Sequence, residues 1–222
     1  MRVISGEHRG RRLVAVPGKG TRPTTDKIKE SIFNMIGPYF SGGTALDLYA
    51  GTGGLGIEAL SRGVERCVFV EKDLKAFSVV KQNVAACRLE ERAELYRNDA
   101  GRALKQLAKR GIAFDLVFLD PPYAQQQIAQ EIMQLQEGKL LADEAWIVAE
   151  HDSGIRLPEA IGACCLDRSS TYGDTTIAIY RFEPDGTSDP QQGQEQTDES
   201  EPDTERGTDQ LSDEPTMTQR GS

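Results

Sequence analysis

Leu116-Val117-Phe118-Leu119-Asp120-Pro121-Pro122-Tyr123 is the stretch from which the fold of this chain can be read. Four apolar residues in a row, one β-branched and one aromatic, predict a strand buried on both faces of a parallel sheet. Two prolines in succession fix φ and remove two backbone donors. The chain must therefore leave the sheet extended, with carbonyls that no local N–H can claim. Strand ends of this kind are where open α/β sheets place their ligands. A carboxylate, a free carbonyl and an aromatic face held together suit a planar ring bearing an NH2 group, such as a nucleobase. The same four residues are also ordinary exit chemistry for a strand meeting a loop, so they decide nothing alone.

Upstream, Thr44–Leu60 reads as a second buried strand running through Asp47, Tyr49, Ala50, Gly51, Thr52 and Gly53 into a helix with Leu55, Ala59 and Leu60 on one side. Glycines at 51 and 53 allow a sharp turn and a close approach to a bound molecule. A glycine-rich turn of this type can hold a pyrophosphate on the helix N-terminus. Asp47, four residues before Gly51, would repel that group and orient an ammonium instead. The pattern therefore points to S-adenosylmethionine rather than a nicotinamide cofactor. No lysine–serine pair follows the glycines, which excludes an ATPase P-loop. Further strands are predicted at Cys67–Val70, ending in Glu71, and at Ala93–Arg97, followed by Asp99. Glu71 is placed to accept ribose hydroxyls. Asp99 can meet an adenine amino group or cap the next helix, and Lys72 and Ala100 are assigned to the cofactor site with them. Asp73 is the candidate cap of a helix bearing Phe77, Val80, Val84 and Ala85. Polar Gln125–Gln127 precede a helix of Ile128, Ile132, Met133 and Leu135. A fifth strand at Trp146–Ala149, ending at Glu150, and a hairpin around Tyr172-Gly173-Asp174 complete a seven-stranded α/β sheet.

The two ends of the chain differ from this body. Residues 183–222 carry twelve acids against Arg206 and Arg220, a balance of −10, so the whole-chain charge of −9 leaves the rest near +1. That tail has almost no large apolar side chain and is expected to be disordered. Residues 1–30 hold eight cations against three acids. Short strands at Arg2–Ser5 and Leu13–Val16 are predicted to form a hairpin. An amphipathic helix begins after Thr24-Thr25 and carries Ile28, Ile32, Phe33 and Ile36 before Gly37-Pro38. Arg9, Arg11, Arg12, Arg22 and Lys27 form a candidate phosphate-backbone footprint, although a basic run can equally be a solvated face. Four unpaired cysteines and two histidines favour neither a disulfide framework nor a zinc site, and fit a reducing compartment. No signal peptide or membrane-length apolar run is seen, so a cytoplasmic protein is expected.

Asp47-Leu-Tyr-Ala-Gly-Thr-Gly53 together with Asp120-Pro-Pro-Tyr123 resembles the class I S-adenosylmethionine-dependent amino methyltransferases. Gly6-Glu-His-Arg-Gly-Arg-Arg-Leu13 and Arg22-Pro-Thr-Thr-Asp-Lys-Ile-Lys-Glu-Ser-Ile-Phe-Asn34 are more specific and are similar to the RsmD family, bacterial enzymes that methylate the N2 amine of a guanine in small-subunit (16S) ribosomal RNA. Tyr49 and Thr52 stand where that family often has Phe and Ser. The resemblance covers about residues 1–182. It implies a Rossmann-like methyltransferase sheet with helices on both faces, a basic extension over 1–40, a methyltransferase domain over 41–182, and a tail over 183–222. It also implies Asp120, Pro121, Pro122 and Tyr123 as the catalytic set, S-adenosylmethionine as donor and S-adenosylhomocysteine as product. The small ribosomal subunit is the implied partner, with no metal and a monomeric state. A DNA adenine or cytosine amino methyltransferase would share Asp120–Tyr123, but the motifs leave no room for a target-recognition domain. A non-catalytic rRNA-binding assembly factor with a relic pocket is the alternative from another class.

Overall fold

Alternation with period two inside adjoining strands divides the core between two faces of one sheet. The computed structural model describes residues 1–17, 25–122 and 127–184. Its strands are β1 (Thr44–Asp47), β2 (Arg66–Glu71), β3 (Ala93–Arg97), β4 (Phe114–Leu119), β5 (Leu141–Asp152), β6 (Ala160–Ile161), β7 (Cys164–Tyr172) and β8 (Thr175–Phe182). They lie in the order β3-β2-β1-β4-β5-β8-β7-β6, the first five parallel and the remainder antiparallel. Ala45, Leu116 and Phe118 face one cluster, which contains Ile32 and Phe33 of α1 (Asp26–Ile36), Ile57 and Leu60 of α2 (Gly54–Ser61), and Val80 and Val84 of α3 (Leu74–Ala86). Leu46, Val117 and Leu119 face the other, with Leu104 and Leu107 of α4 (Ala100–Ala108) and Ile128, Ile132 and Leu135 of α5 (Ile128–Glu137). Each such side chain contributes roughly 1.5–3 kcal/mol on burial, so both faces hold the sheet.

The chain steps from β1 outward to β2 and β3, then returns to β4 on the other side of β1. Connections therefore diverge between β1 and β4, and a crevice opens at their carboxyl ends.

The seven strands read from the sequence are present, and a two-residue eighth, β6, pairs at the hairpin edge; so short a segment has no periodicity to read. Strand β5 runs from Leu141 to Asp152, rather than from Trp146 to an end at Glu150. It reaches back past a register shift in its pairing with β4, with Glu144 at φ 60. On α3, Phe77 is half-buried and Ala85 exposed, while Val79 and Asn83 fill the inner face. Helix α2 is buried on all sides rather than on the side of Leu55, Ala59 and Leu60.

What covers the outside of α2 is the N-terminal segment. Val3 and Leu13 enter the same core cluster as Ile57 and Val80. The predicted hairpin strands reduce to a single antiparallel bridge, Arg2 with Arg12. The N–H groups of Ile4 and Ser5 donate to the Glu58 carboxylate at 2.8 and 2.9 Å, and that of Val14 donates to Asn83 Oδ1 at 2.8 Å. Val3 and Leu13 N–H donate across the bridge to the carbonyls of Arg11 at 2.9 Å and Met1 at 3.1 Å, whereas the N–H of Ser5, the next donor facing that way, is given to Glu58, and the ladder ends there. Thr25 caps α1, its hydroxyl oxygen accepting from Ile28 N–H at 3.3 Å, and Asp73 caps α3 in the same way at 2.9 Å. The predicted disordered tail from Asp185 onward, Arg22, Tyr123 and Gln125-Gln126 lie outside the described residues. Among the described residues no helix is long and apolar enough to cross a membrane.

Candidate active site at the carboxyl ends of the strands

Asp47 ends β1 almost fully buried, and its Oδ2 accepts from Gly56 N–H at 3.1 Å, inside the first turns of α2. That bond closes the glycine loop over the strand end. Gly51 and Gly53 adopt φ 56 and 78, and Gly53 is the left-handed N-cap of α2, a conformation that any Cβ would strain. Asn83 secures the loop from behind: its amide donates to the carbonyls of Thr52 at 2.8 Å and Val14 at 3.0 Å. Burial pushes the Asp47 carboxyl up to about 7. The Gly56 N–H opposes the shift, and the nearby charge of Glu71 adds to it.

Asp120 follows β4 directly, half-buried, with Pro121 buried and Pro122 exposed. Its pKa lies well above the ordinary carboxylate value, first through burial and then through the negative charges of Glu150 and Asp47. Glu150, two residues before the end of β5 at Asp152, thus adds its charge to those of Asp47 and Asp120. Among the described residues no hydrogen-bond donor meets the Asp120 carboxyl and no N–H donates to the Pro121 carbonyl. Among the described residues no cationic side chain contributes to the Asp120 or Asp47 shift. These residues present acceptors and negative charge without a matching cation, a set that suits a cationic ligand and an amine.

Glu71 spends one oxygen on Gly51 N–H at 2.9 Å and the other on Asp73 N–H at 2.7 Å, which ties the end of β2 to the glycine loop. Asp99 occupies the N-cap position of α4 without a side-chain capping bond, and pairs at 3.6 Å with the exposed Lys72 instead. Ala100 stands beside it, half-buried, and Ala50 is buried in the loop. The Tyr49 hydroxyl donates to Glu131 Oε1 on α5, across the site from the loop, while Glu131 Oε2 is buried without a partner. Burial raises both groups' pKa values; the hydrogen bond pushes Tyr49 further up and draws Glu131 back down.

The family model described as Conserved hypothetical protein 95 matches residues 1–181. YlbH of Bacillus subtilis (strain 168), whose name assigns it provisionally to the rRNA methyltransferases, is 55% identical over 181 residues, 82% of this chain and 98% of that protein. Ribosomal RNA small subunit methyltransferase D of Escherichia coli (strain K12) is 33% identical over 189 residues, 85% of this chain and 93% of that protein. The chain belongs to the RsmD family. An Escherichia coli structure, yhhF, described provisionally as a methyltransferase, superposes with a TM-score of 0.72 at 32% identity, covering 83% of this chain and 98% of that one. The match takes in the N-terminal segment and ends before the acidic tail, as the RsmD-family motifs implied.

Of the basic residues singled out in this RsmD-family chain, Arg9, Arg12 and Lys27 are exposed, and Arg11, also exposed, donates to the carbonyl of Ala86 at the end of α3. Lys29 does not belong to a solvent-facing run: it is buried and pairs with Glu58 at 3.0 Å. Glu58, Asn83, Glu131 and Glu150 were not singled out as site residues from sequence. Only Glu150, an acid following an apolar run like Asp47 and Asp120, carried a legible signal.

Proposed function

We propose that this chain transfers a methyl group from S-adenosylmethionine to the exocyclic N2 amine of one guanine in small-subunit ribosomal RNA. The relative named small subunit methyltransferase D supports the reaction and the RNA. The observation that carries the reading is the Asp120 carboxyl, without a hydrogen-bond donor among the described residues, beside the Pro121 carbonyl at the crevice between β1 and β4. Bound S-adenosylmethionine supplies an electrophilic methyl group on a cationic sulfur. Asp47 and the Tyr49–Gly53 loop would hold its amino-acid end, Glu71 with Lys72 the ribose side, and Asp99 with Ala100 the adenine side. Buried carboxylates that no protein cation offsets become favourable once a positive ligand enters.

Asp120 and the Pro121 carbonyl accept from the N2 amine and turn its lone pair toward the methyl carbon. Pro122 holds the chain extended, and Tyr123 supplies a ring for the flipped base, where stacking contributes ~1–3 kcal/mol. Base flipping costs a few kcal/mol, and less where the base is already unpaired. The N2 nitrogen forms its bond to the methyl carbon as the carbon–sulfur bond breaks; the proton it then sheds passes to Asp120 or to water. Orientation of this kind can supply roughly 7–11 kcal/mol of the barrier reduction. Arg9, Arg11, Arg12, Arg22 and Lys27 would contact RNA phosphates. The reading needs no metal and no second copy, and places the reaction in the cytoplasm.

The test is transfer of labelled methyl groups to small ribosomal subunits lacking guanine-N2 methylation, with naked rRNA and duplex DNA alongside and the modified base mapped. Label at one guanine N2 in the subunit or its RNA is expected. Label confined to DNA would replace this reading with a DNA amino methyltransferase, and donor binding without transfer would replace it with an assembly factor.

A further inference from the structure

We infer that the groove between the N-terminal segment and α1 is a second nucleotide subsite, which holds an unpaired nucleotide of the substrate RNA other than the one that reacts. This rests on the rRNA reading above. The groove encloses about 430 Å3 and is bordered by Arg2, Arg9, Glu30, Asn34 and Tyr39, with buried Arg62 behind them. That lies within the roughly 300–1,000 Å3 range of small-molecule sites.

Its lining combines two chemistries. Arg2 gives its Nε–H to Asp26, at 3.0 Å, and among the described residues the terminal nitrogens of its guanidinium have no partner. Arg9 is exposed with no ion pair among the described residues. Two guanidinium groups facing one cleft suit a phosphate. In the same groove Tyr39 is 63% exposed, yet its hydroxyl is tied to Ser5 Oγ at 2.9 Å. A ring fixed in place without burying its faces gives up rotamer freedom and gains little apolar burial, which makes sense if a second ring covers it. Asn34, exposed on α1 with no hydrogen-bond partner among the described residues, offers a donor and an acceptor to a base edge. Glu30, one helical turn before Asn34, adds a negative charge to the lining that disfavours a phosphate beside it and favours one beside the arginines.

The backing is rigid. Arg62 is clamped by Glu58 at 2.8 Å and stacks 4.6 Å from the Phe33 ring centroid. Met1, adjacent to Arg2, lies against Thr52 of the glycine loop, its sulfur accepting from the Thr52 hydroxyl at 3.6 Å. The segment that borders the groove is thus tied directly to the glycine loop.

The experiment measures binding of full-length wild-type protein, Tyr39→Ala, Tyr39→Phe and Arg9→Ala to small ribosomal subunits and to naked 16S rRNA. Ultraviolet crosslinking with peptide mapping is run beside it, and S-adenosylmethionine affinity and the thermal transition serve as controls. Tyr39→Ala should weaken RNA binding roughly 5- to 100-fold, the range expected for loss of one base stack. Tyr39→Phe should keep most of the affinity, and Arg9→Ala should lower the salt slope by about 0.7–0.9. A crosslink should map to the peptide containing Tyr39. Wild-type binding that Tyr39→Ala leaves within about twofold, with no such crosslink, would overturn the groove and leave the rRNA reading standing. Failure of the wild-type protein to bind or methylate either RNA would overturn both.

Discussion

Glu58 and Asp120 are both carboxyl groups withdrawn from water, and the protein treats them in opposite ways. Glu58 lies fully buried between Lys29 at 3.0 Å and Arg62 at 2.8 Å, and also accepts from the N–H groups of Ile4 and Ser5. Every part of its charge is met, and through it α1, α2 and the N-terminal segment are locked together. Burial lowers the Lys29 pKa and Glu58 works against that shift, which keeps the cluster internally balanced. Asp120 has no donor among the described residues and only burial and like charges around it. A matched buried charge here is architecture, and an unmatched one is a site waiting for a ligand. Asp47 sits between the two cases: one oxygen closes the glycine loop through Gly56, and its charge is otherwise uncompensated.

Substitutions should separate the two classes. The largest effect on stability is expected from Glu58→Ala, which strands Lys29 and Arg62 in the core and should cost about 3–5 kcal/mol. At about 2–4 °C per kcal/mol for a chain of this size, calorimetry should show a fall of roughly 6–20 °C. Asp120→Asn removes an unmatched charge, so its transition temperature at neutral pH should equal or exceed that of the wild type. A fall as large as that of Glu58→Ala would erase the distinction.

A smaller effect is expected at the intermediate case of Tyr49 and Glu131. Tyr49→Phe leaves the Glu131 carboxyl without its donor and should destabilise by about 1–3 kcal/mol in denaturant titration. Glu131→Gln keeps an acceptor for the hydroxyl and should lose less.

Asp47 sharpens the comparison through pH. Its folded-state pKa is raised from 3.8 to about 7, so the folded protein holds a proton that the unfolded chain releases. The stability this contributes is full below about pH 4 and is lost as pH rises toward about 7. Donor binding should run the other way, because a cation prefers the ionised form: affinity for S-adenosylmethionine should rise up to about tenfold between about pH 6 and 8. Asp47→Asn should flatten that dependence in calorimetric titration. The smallest effect is expected from deleting residues 185–222, which should move the thermal transition by no more than about 1 °C, since a polar acidic segment of that composition contributes little to a core.

Much of this was legible because buried strands are continuous apolar runs that stop abruptly. Asp47, Glu71 and Asp120 could be placed at strand ends by that rule alone; β3, before Asp99, is only partly buried, and β5 runs two residues past Glu150 to Asp152. The matched cluster was not legible. Glu58 and Asn83 carried no local signal, because the N-terminal groups they hold, at Ser5 and Val14, lie 53 and 69 residues away in the chain. Lys29 read as one more surface cation for the same reason, its counter-ion being 29 residues distant on another helix. The N-terminal hairpin read too long because nothing local shows that Ile4 and Ser5 give their N–H groups to a side chain.

We propose that the carboxyl that follows β4, unmatched among the described residues, aligns the amine that receives the methyl group. The most direct test is single-turnover methyl transfer to small ribosomal subunits by wild-type protein and Asp120→Asn, with S-adenosylmethionine affinity measured on the same preparations. The account predicts donor affinity within about threefold and a transfer rate lowered by roughly 10³ or more, because the loss falls on orientation and proton acceptance rather than on cofactor binding. Transfer by Asp120→Asn at the wild-type rate would contradict it.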